Sequence, residues 1–344
     1  MKEETDYTGL IISLLLIVSL AFFILGCSAF SDEEFNLGYK LYVPNMSADT
    51  ITIVPAEKSL DTEIITLENS IQQILRVPNK NEAFVLGSAT NEITVIDAET
   101  DEIEEVFVFE VGASSPQTNL RMIFSPDGSK AYVATDYEPA GVAVMNVEEQ
   151  NFTTGINVQS TSVNDFFFSA DNSRLYAVDK AMGQIYVINI ASNSLIETIE
   201  IPESFTYVVL IPTTGHFLFA ADGSPGGIKE FDPATDTYVR RLDDIVDNIV
   251  RLHLTGNENQ IYVLGNDELA LVDNEEDFNI NEINTLDYQS PTDFRFLPGN
   301  EYLLIPSSSA DLIMALDPEA YTTEEIISTD SFPGEIVIFD KVAE

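Results

Sequence analysis

The chain has 344 residues, of which 45% are hydrophobic and 10% aromatic, so a disordered polymer is excluded and a large core is affordable in composition. Asp and Glu total 58 against 15 Lys and Arg, a formal charge of -43, and a field of that sign repels phosphate backbones and anionic headgroups. Nucleic-acid binding is therefore not expected. A single cysteine rules out intrachain disulfides, CxxC zinc sites and CxxCH haem attachment. Two histidines, His216 and His253, cannot build the usual zinc centre without carboxylate help, and no Asp-x-Asp-x-Asp-Gly calcium loop occurs. The composition points to no cofactor.

In chain order, the first feature is an apolar run from Leu10 to Leu25, broken only by Ser13 and Ser19, that ends in Gly26-Cys27-Ser28. Its length suits a signal h-region and is short for a ~30 Å hydrocarbon core. The segment resembles a bacterial lipobox, which implies a lipid on Cys27 and an extracytoplasmic protein held at a membrane. Leu25 is bulkier than the usual residue at its place, and the n-region carries only Lys2 against Glu3, Glu4 and Asp6. An uncleaved membrane anchor is the rival reading. Residues 1–27 are thus the signal or anchor, 28–36 a short polar tether, and 37–344 the folded body. Either reading holds the folded body at a membrane outside the cytoplasm, and the lipid-anchored one places it in the cell envelope, at an outer membrane or cell surface.

From Leu37 onward one unit repeats. A β-branched and aromatic strand is centred on Tyr42, Phe84, Tyr132, Tyr176, Phe219, Tyr262 and Leu304, with steps of 42, 48, 44, 43, 43 and 42 positions. A second alternating strand follows each, as in Glu92-Ile93-Thr94-Val95-Ile96-Asp97, and ends in Asp or Asn, whose side chain can bond the backbone two residues on. A polar turn leads to a third strand, and a fourth ends in a tight turn such as Ser125-Pro126-Asp127-Gly128. Four strands in about 43 residues, repeated, predict propeller blades. The first repeat lacks its innermost strand, and Gly334 to Asp340 supplies a spare one. The predicted fold is an all-β, seven-bladed β-propeller closed by the C-terminal strand pairing into the first blade.

Tyr42-Val43-Pro44-Asn45, Ile93-Thr94-Val95-Ile96-Asp97-Ala98-Glu99-Thr100 and Phe124-Ser125-Pro126-Asp127-Gly128 carry a resemblance to the YVTN β-propeller repeat family. That family's members are typically secreted or surface proteins without an assigned reaction. Related seven-bladed rings include lactonases and quinoprotein-like enzymes, so the fold does not dictate an activity.

No nucleophile elbow, P-loop or GxGxxG sequence is present. His216 precedes a strand in a turn and reads as a surface residue. Among the arginines, Arg76, Arg121, Arg251 and Arg295 fall in strands assigned to the innermost position of a blade. Aligned to the tight turns, Arg121, Asp165, Arg251 and Asp293 share one register, and His253 and Arg295 sit two residues further along on the same face. These six residues are expected at the axial channel. They form either ion pairs between blades, such as Arg251 with Asp293, or a pocket for an anionic or polyol ligand. With no catalytic set in view, the expected function is a non-catalytic module that binds an envelope protein or polysaccharide; the alternative is a lactonase-like or quinoprotein-like enzyme working in the channel.

Overall fold

The structure is a computed structural model that describes residues 37–340 apart from 57–60, 89–91, 109–120, 136–140, 161, 202–203, 222–225, 275–276 and 300–301. Cys27, the apolar run and the tether lie outside the described residues. Among the described residues no helix is long and apolar enough to cross a membrane.

The described chain is all-β, in seven four-stranded antiparallel sheets. Blade 1 joins β28 (Val337–Asp340) to β1 (Tyr39–Asn45), β2 (Thr50–Val54) and β3 (Glu63–Thr66). The other six each take four consecutive strands. Their innermost strands are β4 (Ile71–Arg76), β8 (Met122–Phe124), β12 (Asp165–Phe168), β16 (Phe205–Leu210), β20 (Arg251–Leu254) and β24 (Arg295–Phe296). The C-terminal strand closes the ring as predicted, with Tyr42 opposite Val337 and Tyr39 opposite Asp340. Further ties flank this joint. The Gly334 amide donates to the Pro44 carbonyl at 2.8 Å, the Met46 amide to Phe332, and the Thr50 hydroxyl to Asp330 at 2.8 Å.

The periodicity that marks each strand is satisfied on both faces, because each blade is covered by its two neighbours. Side chains of adjacent blades share one core: Phe84, Val95, Phe124 and Val133 meet between blades 2 and 3. Between blades 4 and 5, Phe167, Tyr176 and Phe217 pack with ring centroids 5.1 to 5.8 Å apart. Fully burying one such ring contributes roughly 2 kcal/mol, which is why large apolar residues recur at the same strand positions. The outermost strands face water and interleave acidic side chains with exposed Ile64, Val106, Ile196 and Ile326, a charged edge that discourages pairing with other sheets.

Turn chemistry repeats with the strands. The carboxylate or amide that ends the third strand accepts from the backbone two and three residues on: Asp97 from Glu99 at 2.7 Å, Asn146 from Glu148 at 3.0 Å, Asp317 from Glu319 at 2.7 Å. Four residues after it the chain turns left-handed, and the residue there is Asp101, Gln150, Asn193 or Asp236 in blades 2 to 5. In blade 7 the same place is held by Tyr321, with φ 55°. A bulky side chain in that region costs on the order of 1 kcal/mol, whereas short polar ones tolerate it.

The tight turn after the innermost strand is knotted by Ser125 and Ser129 on Asp127, and by Ser169 and Ser173 on Asp171. Gly128 sits in the first of these at φ +71°, and a Cβ there would lie 2.7 Å from the Pro78 carbonyl oxygen of the neighbouring blade. Gly128→Ala is expected to destabilise the protein by about 1–2 kcal/mol through strain and this clash, read as a lowered denaturant midpoint at unchanged slope.

Candidate functional site in the central channel

The innermost strands surround the axial channel, and residues at or near the starts of several of them line its wall. There they bound a cavity of ≈ 360 Å³ lined by residues of six blades. Arg121 enters it just before β8, Asp165 at the start of β12, Tyr207 from β16 and Arg251 at the start of β20. Gln73 of β4 lies beside them and fixes the entry of β8, its side-chain oxygen accepting the Met122 amide at 2.8 Å. Two residues arrive by other routes. Glu335 comes from the C-terminal return just before β28, and Lys180 from the turn between the second and third strands of blade 4.

One side of the cavity is a clasp of four charges. Arg251 Nε lies 2.8 Å from Asp293 Oδ1, and its Nη2 lies 3.0 Å from Glu335 Oε1. Arg295 Nε reaches Asp293 Oδ2 at 3.3 Å, and Arg295 Nη2 also contacts Glu335. Asp293 is only 1% exposed. Both of its oxygens are close to a guanidinium, yet neither meets hydrogen-bond geometry. Coulomb attraction to the two guanidiniums holds this carboxylate. Burial pushes the Asp293 carboxyl above the usual range, with Arg295 and Arg251 opposing. Burial also works against the charge on Glu335, but Arg295, Arg251 and Arg121 outweigh it and hold that carboxyl low. Arg251 pays its own burial penalty, and Asp293 and Glu335 more than offset it. The guanidinium also stacks over the Tyr207 ring at 4.9 Å.

The opposite side is less committed. Asp165 Oδ1 accepts the Phe166 amide at 2.9 Å, and Oδ2 stands 3.8 Å from Lys180 Nζ. Burial lowers the Lys180 pKa; Asp165 opposes the shift, and the nearby Arg121 and Arg251 add to it. Arg121 forms no ion pair among the described residues. The cavity wall thus carries three cations, Arg121, Lys180 and Arg251, against two carboxylates, Asp165 and Glu335. In a chain of -43 this is a local reversal of sign.

Five of the six sequence-predicted residues gather here: Arg121, Asp165 and Arg251 on the cavity wall, Asp293 and Arg295 in the clasp beside it. The expected pairing of Arg251 with Asp293 across blades is present. His253 is a correction. Two residues along β20 carries it roughly 7 Å toward the other end of the strand, where it is exposed and lines a different pocket with Tyr262 and Phe296. Partial enclosure, then the charges of Arg295 and Arg251, lower its pKa. His216 is a second correction. It is not a simple surface residue, since its Nδ1 lies 2.6 Å from buried Glu230, which also binds Arg240 Nε at 2.5 Å. Sequence reasoning missed Glu335, Lys180 and Tyr207. Glu335 precedes the spare innermost strand and was findable by extending the register; the turn residue Lys180 has no periodic signal.

Among the described residues no three His, Cys, Asp or Glu side chains converge as a metal would require. No family model matches the chain, and no curated protein does. Solved structures do. The periplasmic gluconolactonase PpgL of Pseudomonas aeruginosa aligns with TM-score 0.62 at 15% identity, covering 88% of this chain and 99% of that one. A Bacteroides fragilis protein assigned as a 6-phosphogluconolactonase aligns with TM-score 0.64 at 12% identity, covering 88% and 98%. A functionally unknown protein from Desulfotomaculum acetoxidans aligns with TM-score 0.70 at 12% identity, covering 87% and 98%. The expectation of a non-catalytic scaffold is corrected by these likenesses, because lactonase-type propellers match this architecture over nearly their whole length. A search for contiguous motifs does not register the cavity's charges, which converge from separate blades. At this identity the likenesses establish the chain's fold: it is a seven-bladed β-propeller.

Proposed function

We propose that the chain is a lactonase-like hydrolase that opens a polyhydroxy, sugar-acid lactone in the central cavity. The carrying observation is Arg121, a guanidinium in no ion pair among the described residues, in the wall of a cavity that also presents Asp165 and Lys180. Ester hydrolysis needs a base for water and donors for the oxyanion that develops on the carbonyl oxygen. Asp165 is the candidate base, since it is partly exposed and bound by one amide and a distant ammonium. Arg121 and Lys180 are the candidate donors. Glu335 is a poorer base because two guanidiniums occupy it. Asp165 takes a proton from water as the water oxygen bonds to the carbonyl carbon. The ring C–O bond then breaks, the proton passes to the departing ring oxygen, and the product is the open hydroxy acid. The likeness to gluconolactonase-type propellers supports this substrate class.

Export and tethering through Cys27 belong to the same proposal and rest on the lipobox-like segment; labelling with a radioactive fatty acid, lost in Cys27→Ser, tests them. The product carboxylate provides the test of the cavity. Calorimetry should show gluconate or 6-phosphogluconate binding saturably to the protein, with affinity at least tenfold weaker in Arg121→Ala. Equal binding in the variant would remove Arg121 from the site.

A further inference from the structure

On the face where the innermost strands finish, blades 6 and 7 line a second pocket of ≈ 720 Å³ that extends out to Glu282 on the outermost strand of blade 6. Four of its lining residues carry rings, His253, Tyr262, Phe296 and Tyr321, beside polar Thr255, Asn257 and Gln260. Phe296 lies with its ring centroid 5.0 Å from that of Tyr262 and 5.3 Å from that of His253. Tyr321 also packs against the buried cluster that holds Tyr262. Among the described residues the charged groups of the lining are Glu282 and Glu319, both exposed, and none is Lys or Arg.

Tyr321 is the informative member. It stands at the left-handed turn position that blades 2 to 5 give to Asp101, Gln150, Asn193 and Asp236. The turn needs no aromatic ring, and an aromatic ring there is held against its backbone preference. Strain of this kind persists where surrounding structure over-determines it, and it marks functional positions. What the substitution achieves is a third phenyl-type ring in the lining, beside Tyr262, Phe296 and Glu282.

From the aromatic faces, the two carboxylates and the absence of a lining cation, we infer that this pocket binds an organic ammonium group. The negative face of each ring attracts a cation, most strongly a quaternary or alkylated one whose desolvation cost is small. The carboxylates supply complementary charge at the rim. An inorganic cation would gain little from the rings, and an anion would be repelled. The site is separate from the Arg121 cavity in both position and sign.

The test uses the full chain and choline, with 3,3-dimethylbutan-1-ol as its uncharged counterpart of the same shape. In a nuclear magnetic resonance titration, choline should shift aromatic signals saturably, and the neutral compound should bind about tenfold more weakly or not at all. Glu282→Gln, an exposed and nearly isosteric change, should weaken choline several-fold. Tyr321→Asn, which restores the residue type of the other blades, should abolish binding while circular dichroism stays native. Arg121→Ala should leave choline binding unaltered. Equal binding of the two compounds would mean an apolar slot and overturn the inference. So would unaltered choline binding in Glu282→Gln and Tyr321→Asn, which would mean diffuse attraction to an acidic surface.

Discussion

Replacing Arg251 with alanine is expected to destabilise the ring by roughly 3 kcal/mol, measured as a lowered midpoint of denaturant unfolding. The magnitude comes from what stays behind. Asp293 is 1% exposed, and its nearest guanidinium contact, Arg251 Nε at 2.8 Å, would be gone. Arg295 would remain at 3.3 Å, so the charge is weakened in its pairing rather than orphaned, which places the effect at the low end for a broken buried pair. The stacking of Arg251 over Tyr207 is lost as well. If the penalty arises from the buried carboxylate, neutralising it should recover part of it. Arg251→Ala combined with Asp293→Asn should then be less destabilised than the sum of the two single changes. A loss of less than about 0.5 kcal/mol in Arg251→Ala would mean that water fills the gap, and that the clasp does not tie blades 6 and 7 to the closing strand.

Asp165→Asn is expected to lower kcat for lactone opening by a factor on the order of 10²–10⁴, the usual contribution of a general base. The side chain keeps its shape, and its acceptor oxygen can still take the Phe166 amide, so the fold should be untouched. KM should change little, because the carboxylate acts on water rather than on the sugar hydroxyls. Arg121→Ala should behave differently and affect KM and kcat together, since a cation at the carbonyl serves both ground state and transition state. An Asp165→Asn enzyme of wild-type rate would transfer the role of base to another group, with Glu335 the only other carboxylate on the described cavity wall.

The contrast between these two variants shows how far the residues themselves could be read in advance. The blades were legible because burial on both faces forces the same strand, turn and strand on every unit, and an aromatic centre such as Tyr132 or Tyr262 marks six of the seven. Ring closure was legible because β1 had no inner partner and the C-terminus had one to spare. The register of Arg121, Asp165, Arg251 and Asp293 was also legible, since tight turns anchor the alignment. The split of these residues into a structural clasp and a freer wall was not. It depends on Glu335, whose carboxylate pairs with both Arg251 and Arg295, and on Lys180, which a turn rather than a strand delivers. His253 shows the limit of period-two reasoning. Side chains two apart share a face of the strand, but the channel is short enough that one step of that kind leaves one site and enters another.

The catalytic reading rests on a sugar-acid lactone being opened at Arg121 and Asp165. It is tested most directly by following acid release at constant pH, with glucono-δ-lactone and its 6-phosphate as substrates for the folded full chain. Release well above the spontaneous rate for at least one lactone, falling to that rate in Asp165→Asn, is the predicted result. Release at the spontaneous rate for both lactones, from protein whose circular dichroism and unfolding midpoint are native, would contradict it.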